Sequence, residues 1–76
     1  MEYVYIVHEG DRWLSKETLR VKAVCETLDD AIAIIMKNNV SDEPNAEMER
    51  ELRDYYQSFG DDVRYMIEVV DMNTWN

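Results

Sequence analysis

A chain of 76 residues holds enough apolar side chains for one core only, so residues 1–76 are read as a single domain. Hydrophobic residues make up 46% and charged residues 33%, which excludes a disordered chain, and no apolar run nears the ~20 residues of a membrane helix. The net charge of −9 disfavours direct contact with nucleic-acid phosphates or anionic membranes and favours basic protein surfaces.

The first segment, Tyr3-Val-Tyr-Ile-Val-His8, is dense in β-branched and aromatic residues on both alternating sets, the pattern of a central strand. Glu2 stands where a secretory leader would carry a basic residue, so a cytoplasmic protein is expected. A polar connection opens at Gly10 and runs through Lys16. Leu19 to Glu26 then alternates, with Leu19, Val21, Ala23 and Cys25 on the side expected to face the core. Basic residues on its other side suit a sheet edge.

Thr27-Leu-Asp-Asp30 has the form of a helix start: a threonine oxygen to cap a backbone N–H and two acids at the positive end of the dipole. Leu28, Ala31, Ile32 and Ile35 follow at helical spacing, and Lys37-Asn38-Asn39 supplies the stop. Ser41-Asp-Glu-Pro44 repeats the start signal. The stripe Met48, Leu52, Tyr55, Tyr56 and Phe59 predicts a second helix running to about Phe59, with Gly60 just past its end. Val63 to Val70 alternates as a third strand, with Val63, Tyr65, Ile67 and Val69 on one side. The expected fold is α+β, in the order β-β-α-α-β, with sheet order 2-1-3 and both helices on one face.

The residues offer little to catalysis or to metal binding. His8 is the lone histidine and Cys25 the lone cysteine, which excludes an internal disulfide and a multi-cysteine zinc site. His8 with Glu9 and Asp11 makes at best a loose, hydrated cation site, and the reading preferred here is a solvated turn. If His8 pairs across from Leu19, Cys25 lies opposite Glu2, roughly 20 Å away along the ladder, so the two cannot form a dyad. Cys25 is expected in the core. Two glycines cannot build a phosphate-cradling loop, and no serine has a nucleophile-elbow context. The chain is therefore read as a non-catalytic protein without cofactor or metal.

If the helices cover Val4, Ile6 and His8, the open face of the sheet carries Tyr3, Tyr5, Val7, Arg20, Lys22, Val24, Arg64, Met66, Glu68 and Val70. An apolar face of that kind points to a protein interface, with a second copy of the chain as the leading partner. Tyrosines beside Arg20, Lys22 and Arg64 also suit stacking of single-stranded bases, but the net charge opposes it. A closed monomer results instead if the loop holding Trp13 and the tail Asp71 to Asn76, with Trp75, fold over the face. A separate reading starts from Glu43, Glu47, Glu49, Glu51, Asp54, Asp61 and Asp62, whose density suits imitation of a phosphate backbone in the basic groove of a nucleic-acid-handling protein. Ten of the 17 acids, against three bases, lie beyond residue 40.

Three stretches, Tyr3-Val-Tyr-Ile-Val-His8, Thr27-Leu-Asp-Asp-Ala31 and Tyr65-Met-Ile-Glu-Val-Val-Asp71 with Trp75, resemble a family of small uncharacterised bacterial and phage proteins. Those begin with a Y-x-V-H-like strand, open a helix with S/T-x-x-E-A after a second strand, and finish on an I-x-x-x-x-D…W strand. The similarity covers about half the chain and weakens over residues 41–62, and a terminal W-x-x-G-F pattern is absent. It implies a small α+β fold in a bacterial or phage setting and assigns no site.

Overall fold

The computed structural model describes residues 3–39 and 43–72. Strand β1 spans Tyr3–Asp11, β2 Arg20–Cys25 and β3 Val63–Asp71; helix α1 spans Leu28–Lys37 and α2 Asn45–Tyr55. The strands form one antiparallel sheet in the order β2-β1-β3, so the segment apolar on both sides takes the middle. The expected element order and sheet order are therefore those of the molecule.

Each helix begins and ends for a local reason. Asp30 donates its backbone N–H to Thr27 Oγ1 at 3.1 Å, and Asn38 donates both its backbone N–H and its side-chain amide to the carbonyl of Ile34. Pro44 precedes the first turn of α2, where the absent proline N–H leaves nothing unsatisfied. The Ser41 and Asp42 part of that start signal lies outside the described residues. Buried residues of both helices (Ala31, Ile32, Ile35, Met48, Leu52) and of the strands (Val7, Cys25, Tyr65, Ile67) form a single core.

The second helix stops four residues earlier than its apolar stripe suggests. Tyr56 adopts a left-handed conformation (φ 58°), and Tyr55, Tyr56 and Phe59 are exposed rather than buried. The chain instead runs beside the outer edge of β3. Ser58 N–H donates to the Tyr65 carbonyl at 2.9 Å, Tyr65 N–H donates to Ser58 Oγ at 2.9 Å, and Ile67 N–H donates to the Tyr56 carbonyl at 2.8 Å. A longer helix would leave those edge groups of β3 without these partners, and their satisfaction outweighs one more helical turn.

The two sides of β1 are the reverse of those expected from the sequence. Val7 pairs with Ala23 and Ile67, and Tyr5 pairs with Cys25 and Val69; directly opposed residues share a face, so this set lies with the core. Val7 is 1% exposed and Tyr5 packs against the core, while Val4, Ile6 and His8 point to the open side. Tyr3, on the same set as Tyr5, is likewise turned away from the open face. The register with β3 forces this choice, because Tyr65 and Ile67 must be inward for Arg64 and Glu68 to reach water.

A β-bulge after Val7 adds a second correction. His8 pairs with Val21 although Val7 pairs with Ala23, so Lys22 is the extra residue of β2. Val21 is thereby turned to the open side, 60% exposed, and Lys22 reaches Glu9 at the covered side. Arg20, paired with Glu9, follows the covered side too.

Candidate functional site: the open face of the sheet

The open face is built from all three strands. Val4 lies opposite Val70, Ile6 is flanked by Val24 and Glu68, and His8 is flanked by Val21 and Met66. Arg64, opposite Gly10, closes one end. Of the interface residues expected from sequence, Val24, Arg64, Met66 and Val70 are on this face; Tyr3, Tyr5, Val7, Arg20 and Lys22 are not. Val4, Ile6, His8 and Val21 were missed. The clue for His8 was its polarity: on this side its Nε2 lies 3.0 Å from Glu68 Oε1, a partner that the core does not contain.

The face is predominantly aliphatic: Val21 and Val24 are exposed, Val4, Ile6, Met66 and Val70 are half-buried, the His8 side chain at its centre is 12% exposed, and Leu14 and Leu19 lie beside Gly10 at one end. Trp13 does not cover it: the indole is 74% exposed, with the Arg12 guanidinium 5.4 Å from its ring centre. Its loop is tied down by Asp11, whose carboxylate accepts the backbone N–H groups of Trp13 and Ser15, each at 3.1 Å, and the Ser15 hydroxyl. The Ser15 amide is the chief reason that the Asp11 carboxyl sits below its ordinary pKa. Trp75 and the tail from residue 73 lie outside the described residues.

Cys25 lies opposite Tyr5, three ladder positions from His8 rather than six, or about 10 Å along the strands. The two still cannot meet, since Cys25 faces the helices and His8 the open side. Burial, reinforced by the charge of Asp30, pushes the Cys25 thiol above its usual pKa, the opposite of an activated nucleophile. Among the described residues no three of the His, Cys, Asp and Glu side chains gather at metal-binding distances.

The acidic residues of the second half do not stand as one uninterrupted row. Glu51 Oε1 accepts the Phe59 N–H at 3.0 Å, and Arg53 bonds Glu49 at 3.2 Å and Asp29 at 2.8 Å. Glu43 is pushed up to about pKa 7, first by burial, then by its hydrogen bond to Glu51 and the charges of Glu51 and Glu47. Glu47, Asp54, Asp61 and Asp62 are exposed. No helix of the described residues is long and apolar enough to cross a membrane. Compared with family models, curated proteins and solved structures, the chain matches none.

Proposed function

We propose that the domain is a non-catalytic binding module that associates with a second copy of itself through the open face of its sheet. The observation that carries this reading is the apolar side of the sheet turned away from the helices, where Val21 and Val24 are exposed and Val4, Ile6, Met66 and Val70 are half-buried. Charge favours a like partner there. The face holds one histidine–glutamate pair and Arg64, whereas most of the acids belong to the helices and loops. Two molecules of charge −9 therefore meet where their acids are sparse.

Size sets the strength. Three strands about 4.8 Å apart, with roughly 3.3 Å per residue, give a projected area of about 400 Å², near half of the ~800 Å² per partner in a standard interface. The contact is accordingly weak and rapidly exchanging. Sedimentation velocity across a concentration series tests it: the native chain associates reversibly, and Val24→Asp remains monomeric. Association should strengthen with salt, because salt screens the repulsion between two acidic molecules. A chain that stays monomeric at millimolar concentration and high salt refutes self-association. Salt-weakened binding to a basic nucleic-acid-handling protein would favour phosphate mimicry instead.

A further inference from the structure

On the opposite side of the sheet, the last turn of α1 and residues of all three strands line an open cleft of about 460 Å³. Its volume falls within the range of small-molecule sites, roughly 300–1,000 Å³. Its floor is Val7, Ile35 and Tyr65, and Ile34 forms an apolar wall. Polar groups line the rim: Glu9, Lys22 and Asn38, whose carbonyl accepts the Tyr65 hydroxyl at 3.3 Å. The bulge in β2 is what brings the Lys22 ammonium to this side, 3.6 Å from Glu9 Oε1.

That ion pair is long and partly exposed. The Lys22 side chain is 49% exposed, so its hold on Glu9 is weak and easily exchanged for another cation. The longer-range field favours positive charge, against the local cations Lys37 in the last turn of α1 and Arg20 opposite Glu9. The cleft lies at the C-terminal end of α1, where the helix dipole is negative, and the whole chain carries −9. We infer that the cleft binds a small amphipathic ammonium ion, its alkyl body against Ile34 above the buried floor of Val7 and Ile35 and its head on Glu9 in place of Lys22. This site is independent of the open face.

The test is a two-dimensional amide NMR titration of the intact chain with n-hexylammonium, using hexanol and hexanoate as controls. Hexylammonium should shift the amides of Val7, Ile34, Ile35 and Asn38 and bind at least about fivefold tighter than either control, as expected for a charge-assisted contact. Lys22→Met should tighten binding about two- to fivefold by removing the competing cation, and Glu9→Gln should reduce it to the hexanol level. A preference below fivefold, shifts confined to the open-face residues Ile6 and Val24, or weaker binding in Lys22→Met overturns the inference. Should Glu9→Gln fail to fold, Lys22→Met at its half-exposed site decides alone.

Discussion

Glu43 gives the sharpest test of the packing between the start of α2 and the Phe59 turn. Its carboxyl is raised from 4.5 to about 7 by burial and by sharing a hydrogen bond with Glu51, against the opposing Phe59 amide. The folded chain therefore holds a proton there that the unfolded chain has released across that interval. Stability from this group is complete below pH 4.5 and is lost as pH rises through 7. At about 1.36 kcal/mol per pH unit the separation corresponds to about 3.4 kcal/mol. Part of Glu43 remains in water, and screening reduces this to about 1 kcal/mol. Glutamine imitates the protonated acid in shape and can still donate to Glu51. Glu43→Gln should thus raise the melting temperature at pH 8 by roughly 4–8 °C and change little at pH 4.5. Thermal melts followed by circular dichroism at pH 4.5, 6, 7 and 8 measure the difference, and subtracting the variant cancels the other titrating groups. Equal melting temperatures at pH 8, or a variant less stable there, would refute the shared-proton arrangement.

Other consequences concern single contacts. Ser58 is fully buried and accepts the Tyr65 N–H, so Ser58→Ala should cost about 1–3 kcal/mol in urea unfolding by leaving that donor unsatisfied. Met48 fills the core under α2, and Met48→Ala should cost about 2–5 kcal/mol, enough to unfold much of a domain this small at 37 °C. Thr27→Ala removes the cap of α1 and should cost about 1 kcal/mol in the same assay. The Cys25 thiol should react with a disulfide reagent far more slowly in the native chain than in urea, since burial both shields it and disfavours the thiolate. Equal rates would place it at the surface.

Much of this architecture was legible before any tertiary information. The Thr27 cap with its two acids marked α1, the alternation of Val63 to Val70 marked β3 with the correct inward set of Tyr65 and Ile67, and the bilateral apolar pattern put β1 in the centre. These signals are local, and they act through backbone sterics and side-chain period. The end of α2 was not legible, because Tyr55, Tyr56 and Phe59 continue a helical stripe while Ser58 is drawn to the edge of β3 by a pairing seven residues away. The face of β1 was also undetermined. With apolar residues on both alternating sets, only the register against β3 chose Tyr5 and Val7 for the core, and only the bulge turned Val21 outward and Lys22 inward. Sequence by itself determined which segments are strands and helices and how they are ordered. Tertiary structure decided which surface remains open, since a strand apolar on both sides acquires an inside only when its neighbours supply one.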